Sequence, residues 1–200
     1  MSDAQSKSTN RVAGRVKWRR FAIAAVPAVA IAGTLVGLTA EGAIASSISV
    51  SGQAFTIAAS QLSGSGFEQF GGVVTETGGT QHPVMVSAIQ NANLSNLCQS
   101  VSVFGITLRL TAGGGGTPAN AQNLIVDADS QTGSSATFTN ITIGQDAGTL
   151  TEVPGVTGPA GTFGEQADSV TINDLRQDTW LTTAGTFTLP NLNLGFGQGC

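Results

Sequence analysis

The stretch ITLRL, residues 106–110, alternates without a break: Ile106, Leu108 and Leu110 fall on one face of an extended chain, Thr107 and Arg109 on the other. Successive side chains of a β-strand point to opposite faces, whereas a helix needs apolar positions three and four apart. The stretch therefore reads as a half-buried antiparallel strand. The same period of two recurs at Ile48 and Val50, at Leu124, Val126 and Ala128, at Ala136 and Phe138, at Ile141 and Ile143, at Val170 and Ile172, and at Leu192, Leu194 and Phe196. No segment after Glu41 carries a helical period.

Three places shift the alternation by one residue: Val103 to Ile106 across Phe104-Gly105, Phe138 to Ile141, and Leu189 to Leu192 across Pro190-Asn191. A shift inside a continuous apolar run is the mark of a β-bulge or of a strand that changes sheets. The expected fold is all-β, an antiparallel sandwich or an open barrel with bulged strands, preceded by one N-terminal hydrophobic helix. The runs GGGG (113–116, with Pro118) and EVPGVTGPAGTFG (152–164) read as loops. Residues 54–67, 123–138 and 169–187 echo one another, each passing from an alternating strand through a polar turn to a Phe. They keep no fixed spacing, so a β-helix-like stack is only the alternative.

Composition supports one packed domain. Hydrophobic residues make up 40% of the 200, enough for a core, although charged residues are only 10%, glycines number 27 and tyrosine is absent. Six of the eight basic residues, Lys7, Arg11, Arg15, Lys17, Arg19 and Arg20, precede an uncharged apolar run from Phe21 to Ala40. At 1.5 Å per residue that run matches a hydrocarbon core of roughly 30 Å, and its basic flank stays cytoplasmic. Residues 1–20 thus form a basic cytoplasmic segment, 21–40 a transmembrane helix or signal-peptide core, 41–47 a candidate signal peptidase region, and 48–200 an exported β domain. Ala43 and Ala45 have the A-x-A spacing of a cleavage site, so a retained anchor and a cleaved signal both stay open. Arg19-Arg20-Phe21 reads as topology charge rather than twin-arginine export.

The whole chain has net charge −4, and residues 1–45 hold six basic against two acidic residues, Asp3 and Glu41. The remainder is therefore −8, ten acids against Arg109 and Arg176. Nucleic-acid binding needs clustered Lys and Arg, so that partner is excluded. Only two cysteines exist, Cys98 and the last residue, Cys200. Outside the cell a disulfide between them is expected and would close a loop of about 100 residues; a free or intermolecular pair is the alternative. Two cysteines and the single, distant His82 make a poor zinc site.

Signals for catalysis are weak. No serine lies in a G-x-S-x-G elbow, and His82 in GGTQHPV, the only histidine, reads as a loop residue before a proline. Asp127 and Asp129, placed on one strand face with Gln131 following, give an incomplete calcium loop: Thr132 stands where Gly is needed and Phe138 where a bidentate Glu belongs. Glu68, Glu76 and Glu165 read as solvated loop charges. Phe55, Phe67, Phe70, Phe104, Phe138, Phe163, Phe187 and Phe196 read as core plugs at strand ends, and the same residues along one sheet face would make a lipid groove. The residues thus nominate no catalytic residue, metal site or cofactor.

The segments LSNLCQSV (94–101), NLIVDADS (123–130), FTNITIGQDA (138–147), GTFGEQAD (161–168) and TAGTFTLPNL (183–192), with the two cysteines and the basic-apolar N-terminus, resemble an actinomycete family of exported or membrane-anchored proteins of unknown function. Some of its members are labelled cholesterol esterase. The resemblance implies an envelope location and a link to lipid, and carries no catalytic residue. The expected function is a non-catalytic, cell-envelope-associated β domain with a structural or binding role, lipid being the ligand in view and the membrane a partner through an uncleaved helix. Lipid or sterol-ester hydrolysis is the alternative.

Overall fold

Long alternating runs joined by short polar turns give long hairpins, and two of them make most of the domain. The computed structural model describes residues 48–200; the segments 1–20, 21–40 and 41–47, with Ala43 and Ala45, lie outside the described residues. The first hairpin is β1 (Phe55–Thr75) against β2 (Gln81–Ser95) and β3 (Leu97–Val103). Register against β1 runs unchanged from Val74↔His82 through Gln61↔Ser95 to Ala58↔Cys98, so Asn96 interrupts one strand rather than separating two. β4 (Ile106–Ala112) folds back on β3 across Phe104-Gly105.

The second hairpin sets β5 (Ala119–Thr132), β6 (Ser135–Thr139) and β7 (Thr142–Asp146) against the single strand β8 (Phe163–Thr183). The pairs Thr132↔Arg176, Ser135↔Asn173, Thr139↔Ser169 and Thr142↔Gln166 follow one another along β8. A 3-10 turn (Ala147–Thr149) and the loop to 162 close it. Two short strands finish the chain, β9 (Thr186–Thr188) on β5 and β10 (Asn193–Phe196) on β4.

The two hairpins join along both flanks, β1 to β8 and β2 to β5, which closes a circuit. Followed strand to strand, the register leaves β1 at Phe55, passes Thr179, Ala128 and Met85, and returns to β1 at Gly71. Closing a sheet with so large a stagger makes the strands run steeply around the core. The chain's entry consequently lies beside the exit of β1, and Val50 bridges Glu76. The architecture is the barrel-like alternative, though not a clean barrel. All strand pairings among the described residues are antiparallel, the isolated Val50–Glu76 bridge apart, which excludes the β-helix-like stack.

Burial explains how such steep strands stay apolar inside. Buried positions advance by two and then skip three: Ile57, Ala59, Leu62 on β1; Ile89, Ala92, Leu94, Leu97 on β2 and β3; Ala119, Ala121, Leu124, Val126 on β5; Ala167, Val170, Ile172, Leu175 on β8. The skips fall in two rows across the sheet. One contains Ser60, Asn96 and Asp174; the other contains Asn123, Gln90, Gly66, Asp168 and Asn140. Asn96, Asp174, Asn123, Gly66 and Asn140 have φ between 49 and 64°, the left-handed region that Asn, Asp and Gly enter most easily. Side chains tie the rows together: Asn96 donates to Ser60 Oγ (2.9 Å), and Asn140 to Asp168 Oδ2 (2.6 Å). All neighbouring strands thus bend at one level.

Several expectations change. The shift at Phe138 to Ile141 is one of these kinks, whereas Phe104-Gly105 and Pro190-Asn191 are turns between strands. The first echoing segment, 54–67, contains no turn, since Ser60 and Gly66 kink a continuous strand. Phe67 and Phe70 are buried, but Phe104, Phe163, Phe187 and Phe196 are exposed rather than core plugs. The alternation of ITLRL is correct but neither of its faces is buried: Ile106, Leu108 and Arg109 are exposed and Leu110 is half-buried, because β4 lies beyond the circuit.

Candidate functional site

β3, β4 and β10 form a three-stranded flap at one end of the sheet. Cross-strand partners share a face, and the pairs Val103↔Ile106, Val101↔Leu108, Leu110↔Leu194 and Leu108↔Phe196 place seven large apolar side chains together. This face is largely open: Phe196 is 80% exposed and Ile106 60%, and Phe104 at the hairpin tip is completely exposed. Phe104 and Gly105 have φ of 52 and 79°, the left-handed pair of a tight two-residue hairpin turn. The opposite face is polar, with Ser102 Oγ and Thr107 Oγ1 in contact at 2.7 Å.

Where the apolar face meets the incoming chain there is a groove of about 310 Å³, lined by Phe55, Val101, Leu108, Leu110 and Leu194 with Ser51, Gln53 and Gln99 at its polar edge. That volume lies at the lower end of the range for small-molecule sites. The closed interior beneath Phe67 and Leu124 offers about 30 Å³, room for water and not for a lipid.

The polar face carries the clasp. Cys98 and Cys200 are disulfide-bonded, with Cα atoms 5.8 Å apart and a sequence separation of 102. Arg109 Nε lies 3.2 Å from Cys98 Sγ, Arg176 donates to the Cys200 carbonyl at 2.7 Å, and Cys200 N donates to Ser100 Oγ at 3.0 Å. Both arginines of residues 48–200 thus sit at the clasp. The ten acids all fall within 68–178, and none occurs in 97–126 or 179–200, so β3, β4, β9 and β10 are free of negative side chains.

His82 lies on β2 rather than in a loop. Its Nε2 is 2.8 Å from Glu76 Oε1 and its ring stacks on Trp180 with centroids 3.8 Å apart, while Trp180 Nε1 donates to Asp129 Oδ1 at 2.7 Å. This arrangement joins residues from both hairpins, and sequence reading missed it because the partners are far apart along the chain. Among the described residues no serine is hydrogen-bonded to His82. Such a cluster packs and orients side chains across the two hairpins.

The carboxylates depart furthest from expectation. Glu68 is no solvated loop charge: it is fully buried on β1, burial pushes its carboxyl up from the ordinary range, and Oε1 accepts from Val153 N at 2.8 Å, pinning the 147–162 loop. Glu165 on β8 is likewise raised by burial. Asp127 and Asp129 do not share an environment, because register irregularities around Ala128 bury Asp127 and leave Asp129 at the surface. Burial pushes Asp127 up to about 6. No three His, Cys, Asp or Glu side chains among the described residues lie close enough together to hold a metal.

Among the described residues no helix is long and apolar enough to cross a membrane. Neither the curated proteins nor the solved structures contain a match to the chain. A family model described as "Family of unknown function (DUF6230)" matches residues 51–200, which takes in every strand, both cysteines and the apolar flap, and the chain accordingly belongs to that family.

Proposed function

We propose that this protein is an exported, cell-envelope-associated domain that binds an apolar ligand and does not catalyse, with the open face of β3, β4 and β10 as its binding surface. The observation that carries this reading is that face: seven large apolar side chains on one side of a sheet flap, bordered by a groove of about 310 Å³. Exposed apolar patches of this kind mark interaction sites in soluble domains. Export is supported by the basic flank and apolar run of residues 7–40 and by the Cys98–Cys200 bond, which an oxidising compartment maintains. Lipid suits the groove because Phe55, Val101, Leu108, Leu110 and Leu194 give it apolar walls.

The test is lipid extraction from the protein purified from an exporting host, followed by displacement of a fluorescent fatty acid. Leu194→Asp places a charge on the face at an exposed site, so the fold survives while the probe loses affinity by about tenfold or more. Equal binding by both proteins, with no extractable lipid, overturns the reading. Turnover of a sterol ester that His82→Ala abolishes would instead establish the hydrolase.

A further inference from the structure

We infer that the β3–β4 hairpin tip and the end of β10 insert into the outer leaflet of the membrane from which the domain emerges, so that the apolar groove opens toward acyl chains. This rests on the envelope reading above and names the partner of that same face.

Three observations single out a bilayer. The first is shape. Val103, Phe104 and Ile106 crown a two-residue turn, and Phe196 stands beside Leu108 on the next strand. A fully exposed aromatic on a projecting tip buries little against a flat protein surface, but an apolar ring such as Phe gains by entering the boundary between headgroups and acyl chains. The second is charge. Residues 101–108 and 192–200 contain no charged side chain, and the nearest cations, Arg109 and Arg176, lie by the clasp. Acids, which would oppose approach to anionic lipid, are confined to 68–76 and 127–178.

The third is position. The groove is bounded by Ser51, Gln53 and Phe55, which follow the apolar run of residues 21–40 closely in sequence, so the apolar face lies on the side of the domain where the chain enters.

The experiment uses the full chain reconstituted in phosphatidylcholine vesicles containing phosphatidylglycerol and, separately, brominated lipid. Phe104→Trp reports the tip and Val73→Trp, at an exposed site on β1, serves as the control; the emission of each added indole is taken as the difference from the parent protein. The expected result is flotation with the vesicles, quenching of the position-104 indole by bromines, and an acrylamide quenching constant about threefold below that at position 73. Flotation with a water-accessible indole at 104 overturns the insertion and leaves the envelope reading intact. Failure to float overturns both. An indole at 104 shielded from acrylamide but unquenched by bromolipid shows a second copy on the face and also overturns it.

Discussion

Asp127 shows how one side chain ties stability to pH. Its carboxyl is buried, Oδ1 has no hydrogen-bond partner among the described residues, and it titrates near 6 when folded against 3.8 as its ordinary value. Between those values the folded state holds the extra proton, so this group's contribution to stability is greatest below pH 4 and declines as pH rises to about 6. At neutral pH the cost is about 3 kcal/mol at most. Asp127→Asn should therefore stabilise the protein by about 1–3 kcal/mol at pH 7 and by little at pH 4. Urea denaturation of both proteins at several pH values checks this, and parallel pH curves would count against it. The sequence hid this residue. Asp127 and Asp129 look equivalent at a spacing of two, and only the irregular pairing around Ala128 separates them.

At the scale of the strand, the aligned kinks carry the fold. Asn96 sits at φ 49° in one row and donates to Ser60, so a β-branched residue there meets backbone strain as well as a lost hydrogen bond. Asn96→Val should cost about 2–4 kcal/mol, and Asn96→Gly, which enters the left-handed region freely, about 1 kcal/mol or less. A common urea midpoint for the two variants would refute the kink's role. Strand existence was legible, since Leu124, Val126 and Ala128 or Val170 and Ile172 alternate and are buried as read. The kinks were half legible. Ser60 and Gly66 look like a polar turn in sequence, because the same residue types serve a turn and a bent strand. The exposure of ITLRL was not legible, since alternation separates two sides of a strand but does not say whether the rest of the molecule covers either one.

Across the whole molecule, closure depends on pairings between residues far apart in sequence, Phe55 with Thr179 or Met85 with Ala128, and one sequence carries no direct sign of them. The cysteine clasp was legible because only two cysteines exist. Reduction, or Cys200→Ser, should lower stability by up to about 4–5 kcal/mol for a loop of this length. β10 should lose amide protection first, because among the described residues it pairs with β4 alone and ends four residues before the clasp. Thermal melts with and without reductant, together with hydrogen exchange at Asn193–Phe196, test this; unchanged melting and protection would show that β10 holds without the bond.

The clasp also sets a load path. Tension applied to the ends of an oxidised chain passes from Cys200 straight into Cys98 on β3, and the 102-residue interval between them bears none of it. About 350 Å of contour length, at 3.3–3.6 Å per residue, is thereby withheld from extension. Stretched by its ends, the domain can give up only what precedes Cys98, chiefly β1 and β2, so β4 to β10 stay a closed loop until the bond is reduced.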